Sequence, residues 1–214
     1  MDFELGDVVR LFDRIGIVAF ALSGVEVGVR RRLDVFGLLV MGVVAATGGG
    51  LIRDVILVRR PFVVDHADYL LWAAGSASVA ILVVSTNRRL PRALIAVADA
   101  LGLGAFAVAG ALAAIGAGLS LPAVVLLAIV TATGGGVVRD LLADRVPLVL
   151  RSEVNATAAA IGGLVVWLLE PVSLEFAALA GLGSTALVRV ATLALDINLP
   201  VPGRHRQGRQ RKLL

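Results

Sequence analysis

The sequence predicts an all-α polytopic membrane protein of seven transmembrane helices, an inverted three-plus-three (3+3) repeat with a seventh helix added. Three observations carry this prediction. The 214 residues are 58% hydrophobic and 17% charged, with a mean hydropathy of +0.94. That balance leaves a soluble domain of this size short of polar surface. The apolar residues also gather into long stretches, most near the ~20 residues needed to cross about 30 Å of hydrocarbon. Finally, Thr47-Gly48-Gly49-Gly50-Leu51-Ile52-Arg53-Asp54 returns 86 residues later as Thr133-Gly134-Gly135-Gly136-Val137-Val138-Arg139-Asp140. Aligning residues 13–61 with 99–147 gives 17 identities in 49 ungapped pairs. Backbone groups in hydrocarbon must pair internally, so the spans are expected to be helices. A barrel calls instead for roughly ten-residue alternating segments.

The first stretch, 15–29, follows an acidic segment with Asp2, Glu4 and Asp7. That is the reverse of a signal-peptide start, so a retained helix is expected. Asp13 opens it, and Glu26 stands one turn before Arg30, an i,i+4 arrangement that supports a helix. The second stretch, 35–58, carries the first glycine triplet, and the third spans 69–85. The fourth, 94–119, contains Asp99, and the fifth, 121–142, carries the second triplet. The sixth is 154–169; the seventh, 172–195, contains Arg189, expected to snorkel to the lipid interface or to act in gating.

Three crossings per repeat unit place its second copy upside down. The expected divisions are residues 1–92, 93–171, the seventh helix at 172–199, and a basic tail at 200–214. One side collects Arg30, Arg31, Arg32, Arg88, Arg89, Arg92, Arg145 and Arg151, together with Arg204, Arg206, Arg209, Arg211 and Lys212 in the tail. The other side holds only Arg10, Arg14, Arg59 and Arg60. The positive-inside rule then sets the amino terminus outside and the carboxyl terminus in the cytoplasm of a prokaryotic inner membrane. Attraction to anionic lipid accounts for the basic face. With no aromatic interleaving or recognition fold, nucleic acid is not an expected partner.

Zero cysteines exclude disulfides and thiolate chemistry. His66 and His205 lack a second histidine at ligand spacing, so no metal site is expected. The glycine motif lacks the lysine and hydroxyl residue of a phosphate-binding loop, and no serine–histidine–acid set exists inside the spans. An enzyme is not expected.

A glycine triplet suits close helix packing, because small residues let backbones approach. The repetition with a preceding threonine and a following Arg-Asp favours a second reading, a helix break facing a polar path. On that reading the two breaks are not expected to share one depth, which favours a path over a single pocket. Adjacent helical residues point about 100° apart, so Arg53 and Asp54 are not expected to bridge each other. Arg53 lies about 27 Å along the second helix, near the depth of Asp13. This predicts the in-repeat pairs Asp13–Arg53 and Asp99–Arg139.

These features together resemble a prokaryotic member of the trimeric intracellular cation (TRIC) channel family, also catalogued as an uncharacterised bacterial membrane or glycine transporter domain family. The resemblance covers residues 7–199 and rests on the paired motif, on Ala19-Phe20-Ala21-Leu22-Ser23-Gly24, on Arg30-Arg31-Arg32, and on Asp140-Leu141-Leu142 leading to Val146-Pro147-Leu148. It implies a homotrimer with a monovalent cation (potassium-type) pore in each protomer, lined by glycine-broken second and fifth helices. Potassium or sodium would permeate, without another cofactor, and lipid would be bound against the trimer. Pore-lining residues would be Thr47, Gly48, Gly49, Gly50, Asp54, Thr133, Gly134, Gly135, Gly136 and Asp140. Arg53 and Arg139 would support the breaks by bonding freed carbonyls, each either neutralised by its aspartate or acting as a removable barrier. Small-residue faces at Gly102, Gly104 and Gly110 suit trimer packing. The rival class is a secondary transporter of a small amino acid such as glycine.

Overall fold

The structure, a computed structural model, describes residues 4–86, 92–151 and 154–195. Arg88, Arg89, His205 and the basic tail lie outside the described residues. The described chain is all helical: α1 (Leu5–Arg30), α2 (Val35–Ile56), α3 (Phe62–Asp65), α4 (Asp68–Ser85), α5 (Arg92–Gly116), α6 (Leu121–Leu142), α7 (Leu148–Arg151), α8 (Val154–Leu169) and α9 (Leu174–Ala194). Five of these, α2, α4, α5, α6 and α9, are long and apolar enough to cross a membrane. The 16 residues of α8 are apolar but short, and α1 is long but carries Asp7, Arg10, Asp13, Arg14, Glu26 and Arg30.

Helix ends follow local chemistry. The Asp34 carboxylate accepts from the Gly37 amide at 2.7 Å and starts α2. Four helices stop on a left-handed residue: Arg32, Val58, Gly118 and Asp144. Each is followed by an amide that reaches back to the last turn, as in Arg59 N to Asp54 O at 3.1 Å and Arg145 N to Asp140 O at 2.9 Å. The left-handed positions fall in pairs 86 residues apart, so the backbone turns carry the sequence period.

Helices α1, α2, α5 and α6 form the centre. Phe20 of α1 stacks on Phe106 of α5 at 5.3 Å, and each ring lies over the other copy's glycine, Gly102 and Gly16 respectively. Helices α4 and α8 pack outside this centre, and α9 closes over α5 and α8.

The glycine triplets do not break their helices. Both α2 and α6 run uninterrupted through them. Three glycines lower helix propensity by about 1 kcal/mol each, but hydrocarbon offers freed backbone groups no other partner. Nor do the triplets lie at different depths, because they cross each other. A Cβ on Gly49 would sit 2.1 Å from the Thr131 carbonyl oxygen, and one on Gly135 would sit 2.1 Å from that of Ala45. Gly48 and Gly134 face Gly135 and Gly49 in the same reciprocal way. Close packing is therefore what the triplets do. Gly102, Gly104 and Gly110, expected on a trimer face, are also spent within the protomer, against Ala19, Leu182 and Leu127.

Gly49→Ala is expected to destabilise the protein by about 2 kcal/mol through overpacking against backbone. Gly183, with nothing within 4 Å of its added Cβ, should gain up to ~1 kcal/mol from alanine. Thermal unfolding in detergent separates the two. Val58 is β-branched, left-handed at φ 52° and 92% exposed, so Val58→Gly should raise the melting temperature, by about 1 kcal/mol of stability.

Candidate functional site

Immediately beyond the glycine crossing, each central helix presents its Arg-Asp pair, one at each of two charged cavities. At the first, Arg53 is buried to 1% exposure and grips Asp13 with both terminal nitrogens, Nη1 to Oδ1 at 2.8 Å and Nη2 to Oδ2 at 3.0 Å. This planar two-point contact is the strongest arginine–carboxylate geometry. The predicted Asp13–Arg53 pair is thus present.

The same guanidinium also donates Nε to Asp54 Oδ1 at 3.0 Å. The expectation that neighbours on a helix cannot bridge fails here. It considered the directions of the Cβ bonds, whereas the long arginine stem curls back and brings Nε over the next carboxylate. Asp54 accepts two further bonds from Arg59, at 2.9 and 2.6 Å, and one from the Phe62 amide at 2.7 Å. It therefore caps α3 and ties it to α2. The Phe62 ring lies 5.6 Å from the Arg53 guanidinium, within cation–π range. Tyr69 meets Phe62 edge-on at 4.7 Å. Asp13, Arg53, Asp54, Arg59, Phe62 and Tyr69 line part of an open cleft of about 450 Å³.

The equivalent place on α6 is arranged differently. Arg139 donates Nε to Asp140 at 3.0 Å, and Asp140 accepts the Leu148 amide at 2.9 Å, capping α7 as Asp54 caps α3. The predicted Asp99–Arg139 pair, however, is not formed. Arg139 Nη1 instead donates to the Ser23 hydroxyl at 2.6 Å, and Asp99 accepts from Arg189 of α9 at 3.3 Å. The reasons are local: Ser23 is matched by Ala109 in the other copy, which offers Arg53 nothing, and Arg189 has no counterpart there. Arg189 does not snorkel to lipid. It is 7% exposed and turned inward. The cavity here, lined by Phe20, Asp99, Thr133, Gly136, Arg139 and Asn155 among others, is about 20 Å³, room for about one water.

The expected site residues thus divide. Asp13, Arg53 and Asp54 gather at the cleft, and Asp99, Thr133, Gly136, Arg139 and Asp140 gather at the small cavity. Gly48, Gly49, Gly50, Gly134 and Gly135 line neither; Gly50 packs against the Phe62 ring, and the other four form the crossing between helices. Thr47 and Thr133 each donate their hydroxyl to their own helix, at Val43 O and Ile129 O. Among the described residues neither arginine bonds a freed carbonyl; carboxylates and Ser23 take that place. Sequence reasoning missed the roles of Ser23, Phe62 and Asn155. Ser23 had a signal, its mismatch with Ala109 inside a matched segment. Phe62 and Asn155 had none.

A family model described as "Glycine transporter" matches residues 10–85 and again residues 96–171. The chain is 38% identical over 207 residues to the UPF0126 inner membrane protein YadS of Escherichia coli K12, covering 94% of this chain and 100% of that one. Among solved structures, a TRIC cation channel superposes with a TM-score of 0.81 at 34% identity, covering 90% of this chain and 96% of the other. The TRIC trimeric intracellular cation channel orthologue from Rhodobacter sphaeroides gives 0.81 at 33% identity, with 89% and 99% covered.

Removing Asp13 takes both terminal-nitrogen bonds from the buried Arg53 and leaves it only Asp54, already shared with Arg59; breaking a buried pair costs about 3–5 kcal/mol. Asp13→Ala should therefore lower thermal stability in detergent steeply. Asp13→Ala combined with Arg53→Met should recover more than half of the loss, an outcome that additive effects would not give.

Proposed function

The chain belongs to the glycine-transporter family of membrane proteins, and from that membership and its likeness to TRIC channels we propose that it is a monovalent cation channel of potassium type. The observation that carries this reading is the superposition on a TRIC cation channel over 90% of the chain at 34% identity. The proposed path lies inside each protomer, along α2 and α6. It joins the cleft at Arg53 to the small cavity at Arg139, and the glycine crossing is its closed point.

The charges fit cation passage. Asp13 and Asp54 together place two carboxylates around Arg53, so this arginine is neutralised rather than left as a bare barrier. Carboxylates along a path favour cations over anions. Asp140 does the same for Arg139. Unbroken helices leave few carbonyls free for an ion, so carboxylates and water would carry more of the solvation than exposed backbone.

Seven spans follow if α1 and α8 cross with the five longer helices. The reciprocal contacts at Gly16 and Phe106, Gly102 and Phe20, and across the triplets support an inverted repeat of residues 1–92 and 93–171, because such exchange marks a two-fold relation. The distribution of arginine supports an outside amino terminus, with the Arg53 cleft facing outward in an inner membrane. A homotrimer with lipid against it, anionic lipid at the basic face, and potassium or sodium as permeant ion complete the proposal.

A second reading, a secondary transporter of a small amino acid such as glycine, is favoured by the unequal cavities. One end is open at about 450 Å³ and the other nearly closed at about 20 Å³, the kind of asymmetry that alternating access needs. A zwitterion would set its carboxylate against Arg53 or Arg139 and its ammonium against Asp54 or Asp140.

Proteoliposomes decide between the two. The channel reading expects potassium flux that does not saturate, and no uptake of glycine under an imposed proton or sodium gradient. Gly136 lines the small cavity, and its added Cβ would meet only ordinary contacts at 3.7 and 3.9 Å. Gly136→Val should therefore fold yet cut potassium flux about tenfold, the effect of ~1.4 kcal/mol on a barrier. Saturable glycine uptake without cation leak assigns transport instead.

A further inference from the structure

The two copies of the Arg-Asp site hold their aspartates in different ways, and the cavities differ accordingly. Where the in-repeat pair is made, Asp13 to Arg53, the cavity is wide; where it is not made, at Asp99 and Arg139, the cavity is almost shut. At the closed end Asp99 is bonded to Arg189 and not to Arg139. Arg189 makes one bond of 3.3 Å to Asp99, while its buried Nε finds no partner among the described residues. Arg53, by comparison, makes a two-point contact with Asp13 and a third bond to Asp54. Arg189 is thus a buried arginine held by little, at membrane depth where an unsatisfied charge is costly. Arg139 holds Asp140 with Nε and Nη2, and its remaining Nη1 is on Ser23, a neutral hydroxyl that it can exchange for a carboxylate at small cost. Arg53 and Asp13, at the equivalent positions of the other copy, make the contact that this exchange would form.

We propose that Arg189 and Arg139 compete for Asp99, and that transfer of Asp99 from Arg189 to Arg139 opens the small cavity. In the present state the seventh long helix holds the aspartate and the cavity is closed. After transfer, this end reproduces the arrangement already seen at Arg53 and widens as that end has. Asn155, whose buried Oδ1 finds no partner among the described residues in the closed state, then gains a hydrated neighbour. The repeat alone does not supply this control, because α9 stands outside it. The role of this transfer in permeation rests on the channel reading, but the opening of the cavity does not.

The chain has no cysteine, so Val137→Cys places one thiol in the cavity wall. Its rate of modification by a cationic methanethiosulfonate reagent reports opening, and potassium flux is read in parallel in the same proteoliposomes. Arg189→Gln should raise the modification rate about fivefold or more, the low end of a coupling between two sites. Arg189→Lys, which keeps the charge but loses the planar fork, should give an intermediate rate and serves if the glutamine variant does not fold. Asp99→Asn should not raise the rate, and combined with Arg189→Gln it should cancel that variant's increase, because opening needs Asp99 on Arg139. An unchanged rate in both Arg189 variants overturns the proposal. So does an Asp99→Asn variant that opens as Arg189→Gln does, which would make the pair a plain latch. If the rates respond as expected while no variant passes potassium, the exchange stands and the channel reading fails.

Discussion

The backbone contact between α2 and α6 is the constraint on which the rest depends. At Gly49 and Gly135 the helices approach until a single added carbon would meet a carbonyl oxygen, and Gly48 and Gly134 face the partner glycines beside them. No side chain other than hydrogen permits this distance. Four residues beyond Gly49 and Gly135 comes the arginine, then the aspartate. Fixing the crossing therefore fixes where both Arg-Asp pairs stand, one beyond the crossing in each direction. The two cavities are consequences of that placement, each opening where the helices diverge from the contact and the charged side chains fill the gap.

The charges could not be held in hydrocarbon one by one. A lone arginine at the centre of a membrane helix costs about 2.5–3.5 kcal/mol even on the mildest scale. Arg53 avoids this through two carboxylates and an aromatic face, drawing partners from α1, α2 and the short α3. Buried ion pairs of this kind add little net stability but strongly penalise any structure that leaves one partner alone. Their effect is specificity. With Asp54 also bonded to Arg59 and the Phe62 amide, the entry to α3 cannot shift without disturbing the guanidinium.

The sequence made the helices, the repeat and the first ion pair legible, because each rests on a period or a depth. Hydropathy marks spans, identity at a fixed offset marks duplication, and rise per residue brings Asp13 level with Arg53. It misjudged the triplets because glycine in a membrane helix has two meanings, a break or a close approach. Only the partner backbone tells them apart. It also carried symmetry too far. Asp99–Arg139 was inferred as the image of Asp13–Arg53, although Ser23 had replaced the equivalent of Ala109 and Arg189 belonged to a helix with no counterpart. A duplicated site diverges through the residues around the motif, and these alignments treat as background.

The capping aspartates show what the motif conserves between copies when the pairing differs. Asp54 and Asp140 each accept from a helical neighbour's arginine with one oxygen and from the first amide of a short helix with the other. Both are followed by a left-handed residue, an arginine and a proline at matching positions, which turn the chain back onto the carboxylate. An aspartate with both oxygens committed cannot also rotate freely to follow a passing charge. The adjustable members are then the aspartates of α1 and α5 and whichever arginine holds them. Asp13 is held by the motif itself, from within its own repeat, whereas Asp99 is held from outside it. The fixed half of the machinery is therefore repeated faithfully, and the half that differs is where one copy can behave unlike the other.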